Sequence, residues 1–554
     1  MMKLLQGFWR FLGWLRGEKE ESRSKPLLVR EKPPSKRVKT KKAREDSKLP
    51  SKQKKAADKE SKRQDKESLP RRISAPKCKS SKGSKTQVNR NKSGAIIRRK
   101  KQRVYLQIGL DFGTSATKVI YTQLGKRISR AICFDHNLPT YPDYCLPSLA
   151  AIDSQGNLLL GIEAARFLSR KNWDTGFQRF KVAVAGKHDR TFYDELTHEN
   201  FNRYRRKHSL DSDFTPERLT AIYLAYAMHE SRERISKLPE YGDTDIEMAF
   251  NICVPIDHIE NNKVREAFER IFTWAEAIEK YWYEKQEQID LLRVSFEFQD
   301  TRISKGDRRV FAVPEAVATM ASYLVSLHKK PGLHAMIDIG AGTTDISICN
   351  LQLPSGQSKS YWYAAKNISR GTINIERKIA SLIKKHKRNS LCTHQEIYQC
   401  LYKLNPNQSE SRRLPVKDAD IKSVVVEALE DLRNSEEYYK TWGCAYNHLR
   451  KQTEWEKVEI FVCGGGASLP GIKDVFARPW WKNLEVRYSV SKLPTPDDYD
   501  SGDGVAPFTR MAVAYGLSKP LPELEEYILP SDVGDHTPAP LPYLKLDHEE
   551  IYPK

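Results

Sequence analysis

Apolar and polar positions divide the chain into three regimes. Within residues 1–16, Leu4, Leu5, Phe8, Trp9, Phe11, Leu12, Trp14 and Leu15 share one broad face at helical spacing. Lys3, Gln6, Arg10, Gly13 and Arg16 take the other face, so the spacing predicts an amphipathic helix. Residues 17–103 hold few of the large apolar side chains that could bury a core and are expected to be disordered. From about 104 to 518, short apolar runs of strand length alternate with helical periods, which predicts an α/β body. Within it, the insert 185–245 and a helix-like stretch over Glu276–Leu292 read as additions to that body. The tail, 519–554, is rich in proline and acidic residues and reads as extended. No apolar run reaches the length of a membrane-spanning helix.

Charge sharpens this division. The 554 residues hold 94 Lys+Arg and 71 Asp+Glu, a net charge of +23. Residues 1–104 hold 35 basic against 10 acidic side chains, which leaves 59 against 61 for the rest. The basic character belongs to the arm, not to the folded body. A membrane-surface helix followed by a polybasic arm suits an anionic bilayer, and the arm could also attract nucleic acid nonspecifically. No aromatic residue occurs from 17 to 104, so the arm offers no platform for stacking bases. The nine cysteines are odd in number and form no C-x-x-C, as in a reducing, cytoplasmic compartment. Cys392, His394 and Cys400 cluster but lack a fourth ligand at zinc-finger spacing.

Three glycine-rich turns carry the chemistry. Val104–Leu110 is a strand that ends at Asp111 and turns through Gly113, Thr114 and Ser115, and a second strand leaves at Lys118. Such a turn aims backbone N–H groups and hydroxyls at one spot, which suits phosphate oxygens, and a carboxylate at the strand end can hold Mg²⁺ through water. The design recurs at Asp338-Ile-Gly340-Ala-Gly342-Thr343-Thr344-Asp345. The third turn follows the strand Val458–Cys463 with Gly464, Gly465 and Gly466, where backbone can approach a flat ligand closely. Neither a P-loop nor a strand-linked G-x-G-x-x-G is present.

In order and spacing these turns resemble the phosphate 1, phosphate 2 and adenosine motifs of the actin, DnaK-type chaperone and sugar-kinase ATPase superfamily. The resemblance spans about 415 residues and is strongest to divergent DnaK-like proteins without a peptide-binding domain. Leu146-Pro147-Ser148, Leu160-Gly161, Phe177-Gln-Arg-Phe180-Lys181, Val254-Pro255 and Ala512-Val-Ala-Tyr515-Gly516 are each similar to segments of that branch. It implies an actin-like ATPase fold: two lobes, each on a ribonuclease-H-like subdomain, with a nucleotide cleft between them. It also implies ATP or ADP with Mg²⁺ as ligands. Asp111 and Asp338 would order the metal, while Gly113, Thr114, Ser115, Gly340, Gly342, Thr343 and Thr344 would line the phosphates. Lys181, with Glu315, Asp338 and Thr343, would act on the γ-phosphoryl group, and Gly464–Gly466 would border the adenosine. Two positions depart from the pattern. Val313 replaces the acid of the chaperone's E-P-x-A-A-A and Glu315 follows two residues later, and Ser468 replaces an arginine on the adenine face.

The expected function is a slow Mg-dependent ATPase working as a nucleotide-gated switch with an unknown protein partner. After Gly516 only about 38 residues follow, too few for a β-sandwich substrate domain. An actin-like filament protein shares the same motifs and stays open as an alternative. A small-molecule kinase would need an aspartate base; Asp257 and Asp345 are available, but neither lies in a kinase-like motif.

Overall fold

The computed structural model describes residues 102–533, apart from 139, 286–306, 354–358, 387–391, 403–415, 482–483, 503–505 and 525. The helix expected over 1–16, nearly all of the basic arm, residues 286–292 and the end of the tail lie outside the described residues. The arm's expected last two residues, 102–103, already belong to the first strand.

The chain is mixed α/β, and two large mixed sheets organise it. The first sheet contains β1 (Gln102–Phe112), β2 (Ala116–Gln123), β3 (Ser129–Ala131) and β4 (Leu146–Pro147). A small separate sheet follows, with β5 (Leu149–Ile152), β6 (Leu158–Leu160) and β7 (Phe177–Gln178). Then β8 (Thr244–Val254) and β9 (Val310–Pro314) return to the first sheet. The second sheet is built from β10 (Gly332–Ile339), β11 (Thr344–Gln352), β12 (Lys359–Ile368), β13 (Glu459–Cys463) and β14 (Ser489–Lys492). Finally β15 (Tyr499–Asp500) joins the first sheet and β16 (Glu526–Ile528) joins the second.

The two sheets repeat one plan. β1, β2 and β3 form an antiparallel meander, and β8 and β9 add in parallel on the other side of β1. In the second sheet β10, β11 and β12 form the meander, while β13 and β14 add in parallel beside β10. Even the late strands correspond, since β15 pairs parallel with β3 and β16 parallel with β12. In the first hairpin Asp111 faces Lys118, and in the second Asp338 faces Asp345. Both cross-strand pairs are seven residues apart, so Asp345 occupies in the second hairpin the place of Lys118 in the first.

Each sheet has its own apolar core, and a third cluster joins them. That third cluster centres on the helices Glu315–Leu324, which follows β9, and Phe508–Leu517. The two helices cross so closely that a Cβ on Gly516 would lie 1.8 Å from the Ala318 carbonyl oxygen.

The insert is structural rather than decorative. Its helix Pro216–Ser236 buries Leu219, Ile222, Leu224, Ala225 and Met228 against the first sheet. Tyr223 on this helix reaches Thr117 of β2 with its hydroxyl, at 2.9 Å. The periodicity near 276 belongs to a longer helix, Asn262–Lys285, packed on the same core. The tail is also ordered further than its composition suggests, because β16 closes the edge of the second sheet and Ser531 N–H donates to Glu260. Among the described residues no helix is long and apolar enough to cross a membrane.

Candidate functional site

The equivalent hairpins of the two sheets turn toward each other. A Cβ on Gly342 would meet the Thr114 methyl at 2.7 Å, so the Gly113–Ser115 and Gly340–Thr343 turns nearly touch. They line one cleft of about 270 Å³, together with Gly464 and Gly465 beyond β13. Gly464 has φ +83, and a Cβ there would lie 2.1 Å from the Asp338 carboxylate. Only glycine lets the third turn pass so close to that acid.

Aromatic packing aims Asp111 and Lys181 into this cleft. Phe112 follows Asp111, Phe180 precedes Lys181, and the two rings stack at 5.9 Å. Tyr223 packs on both, at 5.8 and 5.2 Å. The F-x-x-F-K segment therefore works as an anchor: Phe177 packs with Phe201, Tyr204 and Phe214, while Phe180 fixes the start of the helix Phe180–His188. Arg179 makes the corner between them in the left-handed region, at φ 57.

Four carboxylates, Asp111, Glu315, Asp338 and Asp345, face two lysines here. Lys118 pairs with Asp111, and Lys181 reaches Glu315 at 3.4 Å. Burial opposes the charge on both lysines, yet Asp111 and Glu315 outweigh it and hold them above their ordinary values. Burial, with Glu315 and Asp111 adding like charge, pushes the Asp338 carboxyl up to about 7. Burial and then Glu315 raise Asp345 well above the carboxylate range. With all four carboxyls ionised, this cluster would carry two more negative charges than its two lysines balance, Arg510 at the cleft border aside, and a divalent cation would favour that ionised state. Asp111, Glu315 and the Cys253 thiol bring ligand atoms within 4.8 Å of one another, and Cys253 donates to Asp111 at 3.5 Å. The carboxylate oxygens of Asp111 and Glu315 are hard donors that fit Mg²⁺, whereas the Cys253 thiol is not among them.

This imbalance has a measurable sign. A carboxyl with a raised folded-state pKa stabilises the fold fully below its unfolded value of about 4. That contribution is lost as pH rises toward about 7. In thermal melts of cation-free protein, the Asp338 contribution should therefore decline between about pH 4 and pH 7. Added Mg²⁺ should raise the melting temperature more at about pH 8 than at about pH 5. An equal Mg²⁺ shift at both would count against these carboxylates as the cation site.

Most residues expected at the site converge on it. Asp111, Gly113, Thr114, Ser115, Lys181, Glu315, Asp338, Gly340, Thr343, Gly464 and Gly465 all border the cleft. The displaced Glu315 still arrives, because it opens the helix after β9 with Pro314 at its N-cap. Three expected residues do not border it. Gly342 is closed off by Thr114 and Val182, and Gly466 packs on Ile339. The Thr344 hydroxyl is buried and donates to the Arg370 carbonyl at 2.7 Å.

One motif residue takes a place that was not expected of it, and other residues at the site lay outside the expected set. Asp345 enters as the partner of Asp338 across the second hairpin, a signal the repeated seven-residue spacing did contain. Arg179 lines the cleft, lies over Trp173 at 5.4 Å, and donates to Glu376 on the helix Thr372–His386 at 2.9 Å. The next residue of that helix, Arg377, reaches Asp194 at 3.1 Å. Arg510, from the helix Phe508–Leu517, borders the cleft beside Gly465 and Ser468, the side where the expected arginine is missing.

No protein-family model matches the chain, and no curated protein sequence matches it.

Proposed function

We propose that the chain binds Mg·ATP in this cleft and hydrolyses it slowly, as an actin- and DnaK-like ATPase that serves as a nucleotide-gated switch. The observation that carries this reading is the pair of equivalent hairpins whose glycine turns meet at Thr114 and Gly342. Two meanders of one plan, each extended by parallel strands, agree with two ribonuclease-H-like halves around a nucleotide.

In this reading the backbone N–H groups and hydroxyls of Gly113–Ser115 and Gly340–Thr343 hold the phosphates from both sides. Bound Mg²⁺ supplies charge neutralisation and ordered water, with Asp111, Asp338 and Glu315 as its holders. Lys181 offsets charge on the γ-phosphoryl oxygens, and Glu315 keeps its ammonium group in place. Gly464 and Gly465 leave room for adenosine, and Arg510 lies on the same side. Catalysis of this type rests on positioning and electrostatics. Arg179–Glu376 and Arg377–Asp194 tie the two halves across the cleft, so a ligand that alters their spacing changes the relation between the halves.

ATP isotherms and phosphate release by the full chain, with and without Mg²⁺, test the reading. Saturable ATP binding with Mg²⁺-dependent release is expected. Absence of ATP binding under both conditions would overturn it.

A further inference from the structure

Behind the paired turns, and sharing Thr114, Lys181 and Thr343 with the main cleft, lies a partly open recess of about 10 Å³, room for the centre of one water. Its polar lining comes from both halves: Thr114, Lys181 and His258 on one side, Thr343, Asn367 and Ser369 on the other.

His258 is the unusual member. It is 3 % exposed, and neither ring nitrogen has a hydrogen-bond partner among the described residues. The Ser369 hydroxyl is likewise buried and unpartnered. The imidazole sits between Phe192 at 4.5 Å and Phe268 at 6.0 Å. A polar ring with two orphaned nitrogens in an aromatic slot is costly unless something small satisfies it.

We propose that the recess is a buried water site, and that His258 acts through the bound water as a positioning residue for Lys181 and the two phosphate turns. The water accepts from the Lys181 ammonium group or a threonine hydroxyl, and donates to a His258 nitrogen and to the Ser369 oxygen. The lining offers the two to four polar partners that such a water needs. Burial, followed by the charges of Lys181 and Lys366, pushes the imidazole down to about 3. The ring is then neutral and keeps one acceptor nitrogen. Asn367 extends the network, since its amide donates to Asp345 at 2.9 Å. The recess thus joins Lys181 on one half to Asp345 on the other through groups that touch no nucleotide themselves.

The positioning role rests on the ATPase reading, but the water site does not. A crystal structure of the full chain, at a resolution that shows single waters, should place one within hydrogen-bond distance of His258; a dry recess would overturn the site. His258→Phe keeps the aromatic packing and removes both nitrogens. It should lower kcat by about ten-fold or more while ATP affinity and melting temperature hold. His258→Gln, which restores an acceptor, should recover part of the rate. Unchanged kcat in His258→Phe would overturn the positioning role. So would a parallel loss of rate, affinity and melting temperature, which would mark a packing defect. If the wild-type chain hydrolyses no ATP, the functional reading falls, and the crystallographic water alone decides the site.

Discussion

Lys181→Met should reduce ATP turnover by about 100-fold to 1,000-fold, the usual cost of removing one preorganised charge from a transition state. The side chain is buried at the cleft floor, with its ammonium group 3.4 Å from Glu315 and 5.7 Å from the centre of the Phe112 ring. Methionine preserves much of that apolar contact. Losing the cation, however, leaves Glu315 beside Asp111, Asp338 and Asp345 with one positive charge fewer, so a fall in stability could be mistaken for a catalytic loss. The double variant Lys181→Met/Glu315→Gln, read beside Glu315→Gln alone because Glu315 is itself a proposed Mg²⁺ holder, separates the two. It should recover the melting temperature and leave turnover low. Turnover near wild type in either Lys181 variant would remove Lys181 from the mechanism. Asp338→Asn should complement this result, keeping ATP binding while hydrolysis is lost.

Gly516→Ala should be the most damaging single methyl group in the molecule. The new Cβ would lie 1.8 Å from the Ala318 carbonyl oxygen and 2.5 Å from its carbonyl carbon, both backbone atoms inside a helix. No side chain can swing away to make room, so the helices Glu315–Leu324 and Phe508–Leu517 must separate. A loss of about 3 kcal/mol, the upper range for overpacking, is expected. Those helices also carry Glu315 and Arg510, so ATP affinity should fall with stability. A variant that melts like the wild type would show that the crossing is looser than this contact requires.

Legibility followed the locality of each signal. The two hairpins and the third glycine turn could be read because strand, acid and turn lie within a dozen residues of one another. Lys181 could be read only through the resemblance of its F-x-x-F-K segment, since one lysine in a lysine-rich chain carries no local signal of its own. The helix Pro216–Ser236 read as part of an addition because charged residues from Glu217 to Arg234 interrupt its apolar run and leave no single face that names a partner. Thr344 already belongs to β11 while Thr343 is still in the turn, and a run of two threonines does not show where the turn ends. Arg179, Glu376 and Arg377 meet their partners only once the halves are assembled, and no local rule brings residues 179 and 376 together. The strand β16 was hidden by its prolines and acids, which describe the surrounding tail better than the three residues that pair.

The route of the chain after β14 has a consequence for how the protein is made. The first half begins at Gln102, but its edge strand β15 and the helix Phe508–Leu517 that covers β1 arrive about 400 residues later. A Cβ on Gly109 would lie 2.1 Å from the Ala514 carbonyl oxygen, and Thr122 hydrogen-bonds Ser518 across 396 residues of sequence. A ribosome must therefore make nearly all of the second half, short of β16, before the first can close. During that interval one face of β1 has no cover, and the nascent chain carries an apolar surface open to chaperones or to other chains. A message cut short before codon 508 would yield two nearly complete sheets and no finished protein.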